Sequence, residues 1–218
     1  NQGLDAALSV VLQGDGKIVA AGSAVSEASF YDFALVRYLA DGTLDSTFGS
    51  GGKVETDLGA NNLDQARAAV LQTDGKIVAA GTTVASNGLD QFFAITRYNS
   101  DGTLDNSFGR RGLATVDFGS FDQSARSVLL QTDGKIVAVG YADTESSDSD
   151  FLVARLNSNG RLDTTFGIGG TVRTSFGDLN GGANSSVLQP DGKIVAAGFN
   201  ATPTSRGVDV ALARYLGN

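Results

Sequence analysis

The sequence predicts an all-β fold: a β-propeller of four blades, each a four-stranded antiparallel sheet, with the last blade lacking its outermost strand. Two observations predict it. A ten-residue block recurs four times at nearly constant spacing, and a second, glycine-rich block recurs three times. No segment has the 3.6-residue hydrophobic period of a helix. Fixed repeats of this kind are typical of blades that each add one sheet to a ring.

The first block, Q-x-D-G-K-I-V-A-x-G, predicts a hairpin between the two inner strands of each blade. Its aspartates lie 59, 59 and 58 residues apart, at Asp15, Asp74, Asp133 and Asp191. Asp-Gly favours a two-residue hairpin turn, in which both central residues need positive φ. In the first copy we expect strand a over Ala7–Gln13 and strand b over Lys17–Gly22. The lysines that follow the turn, Lys17, Lys76, Lys135 and Lys193, are interpreted as solvated charges.

The second block, G-x-L-D-x-x-F-G-x-x-G, predicts the connection between the two outer strands. It lies at Gly42–Gly52, Gly102–Gly112 and Gly160–Gly170. In the first copy it joins strand c, Asp32–Tyr38, to strand d, Lys53–Leu58. Strands a and b are apolar on both faces, which indicates that neighbouring sheets cover them, whereas strand d alternates and faces solvent on one side. A parallel β-helix is the competing repeat fold, but its coils are shorter and lack regular Asp-Gly hairpins.

We expect one domain over residues 1–218, with blades at about 1–60, 61–120, 121–178 and 179–218. In the last copy Asn218 aligns with Asp41, so strand d is absent and strand c has an open edge. Such an edge can pair with another chain. Three explanations stay open: a segment of a longer propeller, a three-stranded last blade, or a strand donated by a neighbour. The predicted partner is therefore a protein, either another copy of this chain or another domain of its parent.

Residues that recur in every copy are predicted to be architectural. The phenylalanines of the second block should fill the groove between blades, and its aspartates should close Asx-type turns. An arginine at one register of strand c should bind an aspartate or a backbone carbonyl, because a buried guanidinium needs an acceptor. These residues are Phe48, Phe108 and Phe166; Asp45, Asp105 and Asp163; and Arg37, Arg97, Arg155 and Arg214.

Candidate binding residues lie on the opposite rim, where the b–c and d–a loops differ most between copies and a rigid scaffold would carry function. Arg67 and Arg126 occupy one position near the start of strand a, which predicts an anion or sugar-acid site at the mouth of the central channel. Local pairing with Asp64 and Asp122 is the alternative. An acidic stretch could hold calcium or could be a solvated loop; its candidate ligands are Asp143, Glu145, Asp148 and Asp150.

Composition excludes several function classes. The chain contains no His, Cys, Met or Trp, which removes histidine bases, catalytic triads and zinc, haem or iron–sulfur ligands. No cofactor is expected, but hard oxygen-ligated cations such as calcium stay possible. The net charge of −8 disfavours nucleic acid and anionic membranes, and no apolar run is long enough to span a bilayer.

The paired blocks resemble the delta-60 repeat, which occurs in tandem in large secreted or surface proteins of bacteria. The resemblance covers nearly the whole chain, although Arg110-Arg111 replaces the usual small residues in one copy. It implies propeller-like blades and an extracellular or cell-surface location, and little about activity. We expect a structural or interaction module that is not an enzyme, such as a subunit of an extracellular fibre completed by strand donation. The alternatives are a propeller that binds sugar or calcium, and a lyase or hydrolase using Asp/Glu, Arg and Tyr.

Overall fold

The computed structural model describes residues 5–25, 31–59, 63–85, 88, 90–120, 122–143, 149–177, 180–201 and 207–217, apart from the side chain of residue 143. Within these ranges fifteen strands form four antiparallel sheets. Sheet 1 contains β1 (Ala6–Leu12), β2 (Ile18–Ala24), β3 (Asp32–Tyr38) and β4 (Lys53–Thr56). Sheet 2 contains β5 (Gln65–Leu71), β6 (Ile77–Val84), β7 (Gln91–Tyr98) and β8 (Leu113–Val116).

Sheet 3 contains β9 (Gln123–Leu130), β10 (Ile136–Asp143), β11 (Ser149–Leu156) and β12 (Thr171–Thr174). Sheet 4 contains β13 (Gly181–Leu188), β14 (Ile194–Ala201) and β15 (Val208–Tyr215). In every sheet each strand pairs with the next one along the chain. The predicted fold class is therefore confirmed: an all-β propeller with three four-stranded sheets and a last sheet of three.

The hairpin between the two inner strands differs from the predicted turn. Gly16 has a φ of 85°, but Asp15 is not among the non-glycine residues with positive φ. The Gly16 amide donates to the Gln13 carbonyl at 3.0 Å, and the Gln13 amide donates to the Lys17 carbonyl at 2.8 Å. This is the pattern of a three-residue loop that ends in a left-handed glycine. The Asp15 carboxylate instead accepts from the Lys17 amide at 3.2 Å, which holds the loop closed.

Each innermost strand carries a β-bulge opposite an invariant glycine of the repeat. In sheet 3 Ala125 pairs with Gly140 and Ser127 with Val139, so Arg126 has no partner in the ladder. A Cβ on Gly140 would lie 1.9 Å from the Ser124 carbonyl oxygen, so only glycine fits. Bulges bend a strand and redirect the extra side chain. The same shift occurs in sheets 1, 2 and 4.

Three apolar clusters form the core, one at each junction between consecutive sheets. Among the described residues no such cluster joins sheet 4 back to sheet 1. Strand β1 was predicted to be covered on both faces, but Val10 and Leu12 are 67% and 71% exposed, because no sheet packs beyond them. On β15 at the other end, Val210 is 84% exposed. The described part of the chain contains no helix that could cross a membrane.

Candidate functional site

The arginine that recurs on strand c joins neighbouring sheets, on the rim where the a–b hairpins lie. Arg97 donates through Nε to Oδ2 of Asp105 at 2.8 Å and through Nη1 to the Ser158 carbonyl of the next sheet at 2.6 Å. Its guanidinium also lies 4.7 Å from the centroid of the Phe108 ring, and Phe108 is fully buried. Arg37 and Arg155 repeat this arrangement with Asp45 and Phe48, and with Asp163 and Phe166. The three buried arginines therefore hold blades together.

Arg214 behaves differently from the other three. It is exposed, and the sequence has no counterpart of Asp105 or Phe108 after it. The lysines also differ from the interpretation as solvated turn charges. Lys76 Nζ lies 3.2 Å from Asp74 Oδ2 and 3.6 Å from Asp105 Oδ2, so it bridges the hairpin aspartate and the arginine-bound aspartate. Lys17 and Lys135 make the same bridge, whereas Lys193 contacts only Asp191.

The aspartates of this rim are held ionised. The hydroxyl of Thr165 donates to Asp163 at 2.7 Å, and this bond, with the Thr165 amide, Arg155 and Lys135, outweighs burial and lowers the pKa of Asp163 to about 2. Burial would raise the pKa of Asp105, but Ser107 and Arg97 lower it to about 2. The hydroxyl of Thr47 lowers the pKa of Asp45 further. The described carboxylates Asp45, Asp105 and Asp163 are thus each paired with an arginine and a lysine of the protein.

The opposite rim brings the two candidate arginines together. Arg67 and Arg126 are the bulged residues of β5 and β9, and the bulge directs both side chains toward the junction of sheets 2 and 3. Arg126 Nη2 lies 3.3 Å from the Tyr141 hydroxyl oxygen, and its guanidinium lies 4.9 Å from the centroid of that ring. Tyr141, on β10, was not singled out in the sequence; its position opposite the bulge is the signal that could have found it.

A cavity of about 350 Å³ opens beside these arginines. The ends of neighbouring strands surround it, with polar, aromatic, cationic and acidic side chains. Its lining residues are Tyr31, Leu63, Gln65, Arg67, Thr82, Gln91, Asp122 and Tyr141. The volume is within the range of small-molecule sites, and a mainly polar wall favours a polar ligand.

The two guanidinium groups form a cationic pair without a carboxylate partner. Among the residues that the structure describes, no ion pair joins either guanidinium to a carboxylate, Asp64 included. The Nε atoms of Arg67 and Arg126 are both buried without a hydrogen-bond partner. Burial lowers the pKa of Arg67, and the nearby charge of Arg126 lowers it further. Two like charges that have no carboxylate partner among the described residues favour an anion between them.

The acidic stretch predicted as a calcium candidate is only partly described. Asp143 is the last residue of β10, its side chain lies outside the described residues, and Glu145 and Asp148 lie outside them altogether. Asp150 belongs to β11 rather than to a loop, and it is buried. Its Oδ2 lies 3.4 Å from Nε of Arg173 on β12, so a cation of the protein already neutralises it.

A family model described as a domain of unknown function, DUF5122 beta-propeller, matches residues 13–48, 72–108 and 131–166, which together make half of the chain. The chain belongs to the DUF5122 β-propeller family. The matched segments contain the buried arginines, their aspartates and the hairpins of three blades, whereas Arg67 and Arg126 lie between them. The DUF5122 pattern thus covers the architecture of this propeller. A search of curated proteins found no match.

The solved structures to which the chain is similar include an endo-arabinase and a GH43_1 enzyme. The endo-arabinase of Bacteroides thetaiotaomicron superposes with a TM-score of 0.52 at 10% identity, over 97% of this chain and 75% of that one. A GH43_1 enzyme of Xanthomonas citri in complex with xylotriose gives a TM-score of 0.41 at 12% identity, over 98% and 71% of the two chains. At 10% identity the likeness to the endo-arabinase shows the propeller fold, while the reaction belongs to that protein.

The comparison corrects two predictions about function. We expected a non-enzymatic structural or interaction module, in the form of a fibre subunit, and we expected no enzyme. Both expectations are contradicted, because the fold that this chain shares with the endo-arabinase is one that serves a carbohydrate-active enzyme. The physical reason for the error is that excluding histidine and cysteine chemistry leaves carboxylate, arginine and tyrosine chemistry intact, and carboxylates alone suffice for glycosidases.

Proposed function

We propose that this DUF5122 propeller is a carbohydrate-recognition module whose ligand is an acidic saccharide, bound in the cavity beside Arg67. The single observation that carries the proposal is the pair Arg67 and Arg126, aimed at one rim by equivalent bulges and lacking a carboxylate partner among the described residues. Guanidinium groups bind carboxylates and sulfates through paired hydrogen bonds. We infer a carbohydrate ligand from the likeness to the endo-arabinase, and we infer its negative charge from the two arginines.

The remaining walls of the cavity suit a sugar. Gln65, Thr82 and Gln91 present amide and hydroxyl groups that exchange hydrogen bonds with ring hydroxyls. Tyr31 and Tyr141 add aromatic surface to the wall of the cavity. An acidic saccharide would therefore find its charge, its hydroxyl groups and its apolar faces each matched by a different group of side chains.

The experiment measures binding of oligogalacturonate, an acidic probe, and of a neutral arabino-oligosaccharide by isothermal titration calorimetry. We expect the acidic probe alone to bind, with an affinity that falls as salt rises, and we expect R67Q/R126Q to weaken it at least tenfold. The control variant R214Q removes an exposed arginine on β15 of sheet 4. It should leave the affinity unchanged. Equal affinities of the wild type and the double variant, or preference for the neutral probe, would overturn the proposal. Assaying the same incubations for new reducing ends measures turnover.

The delta-60 assignment and an extracellular or cell-surface location in bacteria belong to the same proposal. Extracellular polysaccharides and plant cell walls are the places where an acidic saccharide meets such a protein. Fractionation of the source cells, with detection of the protein outside the cytoplasm, is the measurement that supports this part; cytoplasmic retention contradicts it.

A further inference from the structure

Three carboxylates converge at the junction of sheets 1 and 2, on the same rim as the cavity. Asp32 begins β3, Asp57 follows β4, and Asp64 precedes β5. One oxygen of each lies within 4.8 Å of the other two. Asp32 and Asp64 are buried, at 4% and 1% exposure, whereas Asp57 is exposed. At this separation the charges of Asp57 and Asp32 both disfavour the ionised form of Asp64.

Asp64 has an oxygen that no protein donor satisfies. Its Oδ2 accepts from the Leu58 amide at 2.8 Å, while its Oδ1 is buried without a hydrogen-bond partner. Burial raises the pKa of Asp64, the Thr83 hydroxyl and the Leu58 amide oppose the rise, and the charges of Asp57 and Asp32 add to it. Burying a carboxylate oxygen without a hydrogen-bond donor or a cation costs free energy of folding. We therefore expect a further ligand to bind this oxygen.

The junction of sheets 2 and 3 has a glutamine, Gln123, at the position of Asp64. Gln123 stands 59 residues after Asp64, and its Oε1 accepts from the Phe118 amide at 2.9 Å, as Asp64 Oδ2 accepts from Leu58. The other end of Gln123 is a donor: Nε2 lies 2.9 Å from Asp117 Oδ1 and 2.8 Å from the Ser120 carbonyl oxygen. Asp117 corresponds to Asp57. The amide nitrogen that holds Asp117 is thus replaced at the first junction by the orphan carboxylate oxygen of Asp64.

We propose that a divalent cation, calcium in the first instance, occupies this position and links Asp32, Asp57 and Asp64. Carboxylate oxygens are the ligands that calcium prefers, and water completes its coordination shell. The ion would bind the three carboxylates as Gln123 Nε2 binds the carboxylate of Asp117. It would also neutralise charge in a chain of net charge −8. None of the three acids lines the saccharide cavity.

The cation would fix the first sheet against the second. The Asp64 amide donates to the Tyr31 carbonyl at 2.9 Å, in a parallel bridge between Tyr31 and Leu63. Asp32 and Asp57 belong to sheet 1, whereas Asp64 leads directly into β5 of sheet 2. An ion bound to all three therefore ties the two sheets together at a point where their apolar cluster ends.

The test titrates the chelator-treated protein with CaCl₂ in a calorimeter and measures its Tm with calcium and with EDTA. We expect one calcium ion per chain and a higher Tm in calcium. D64Q should weaken calcium binding at least tenfold and make the Tm indifferent to EDTA, because a glutamine can bind Asp57 as Gln123 binds Asp117. D117N removes the equivalent carboxylate of the second junction and should bind calcium like the wild type.

Several outcomes would overturn the proposal. Absence of calcium, magnesium or manganese binding at millimolar concentration would do so, as would equal calcium affinity of D64Q and the wild type. A Tm that ignores metal but falls as the pH rises through the pKa of Asp64 would assign the position to a shared proton instead. If D64Q does not fold, D57N alters the exposed member of the cluster and gives the same calcium readout.

Discussion

Arg97 Nε donates to Asp105 Oδ2 at 2.8 Å, and the same guanidinium reaches across the blade junction to the carbonyl of Ser158. Both side chains are less than one tenth exposed. The pair thus connects the c–d turn of one blade to the next blade. Its three occurrences, at Arg37, Arg97 and Arg155, join all four sheets in series.

Replacing Arg97 with alanine should destabilise the protein by about 3 kcal/mol, because the carboxylate of Asp105 would be left buried beside a single lysine. R214A is the matched control, since Arg214 occupies the same register but is exposed, and it should change the free energy of unfolding by less than about 0.5 kcal/mol. Urea unfolding followed by circular dichroism measures both. Equal losses from the two variants would show that the buried pair contributes nothing specific.

The aspartates of this rim should make the propeller sensitive to acid. Because Asp105 and Asp163 have folded pKa values of about 2, below the unfolded value, their contribution is full above about pH 4 and is lost as the pH falls toward 2. T165V removes the hydroxyl that most lowers the pKa of Asp163, so acid unfolding should begin at higher pH. T171V, whose hydroxyl donates to a carbonyl instead, should unfold like the wild type. Circular dichroism against pH distinguishes them.

The repeat predicted the strands closely and the chemistry of the loops poorly. Strand β3 occupies the predicted residues, Asp32–Tyr38, because its spacing within each copy is constant. The bridge from Lys17 to Asp45 was missed, since it joins residues 28 positions apart through the turn geometry. The carboxylate cluster was missed because it exists at one junction only; comparing Asp64 with Gln123 in the aligned copies was the signal. Arg67 and Arg126 were singled out in the sequence because they occupy one position of two strands, but Tyr141, which contacts Arg126, was not.

Gly140 should tolerate no side chain. A Cβ there would overlap the Ser124 carbonyl oxygen at the bulge that aims Arg126, so G140A should cost more than about 3 kcal/mol or prevent folding. Gly14 lies in a hairpin with open space around it, and G14A should change stability by less than about 0.5 kcal/mol. Expression and thermal unfolding of the two variants give the comparison. A stable G140A protein would show that the bulge rearranges freely.

The backbone of Arg111 should be strained, and a glycine at this position should relieve the strain. It has a φ of 55°, where the equivalent residues of the other copies, Gly51 and Gly169, have φ values of 60° and 63°. Left-handed backbone costs a residue with a side chain about 1 kcal/mol, partly offset by the greater entropy of unfolded glycine. R111G should therefore raise the free energy of unfolding by up to about 1 kcal/mol, and G51A should lower it by a similar amount. A decrease in R111G, measured by urea titration, would contradict the argument.

The two end faces of the array are complementary halves of one junction. Phe151 and Val153 on β11 are fully buried by sheet 4, and their counterparts 59 residues later, Val210 and Leu212 on β15, are 84% and 62% exposed. Val10 and Leu12 on β1 present the opposite half. Sheets of this repeat pack face to face at three junctions, so two copies of the 218-residue chain, taken by itself, are expected to associate through these faces.

The head-to-tail contact predicts self-association that depends on protein concentration. V210D/L212D would place two charges in the interface, so analytical ultracentrifugation should show the wild type associating and the variant remaining monomeric at the same concentration. I168D changes another exposed apolar residue, 90% exposed on a c–d turn away from both end faces, and should associate like the wild type. A wild type that stays monomeric at every concentration, or an I168D variant that dissociates as fully as V210D/L212D, would rule the contact out.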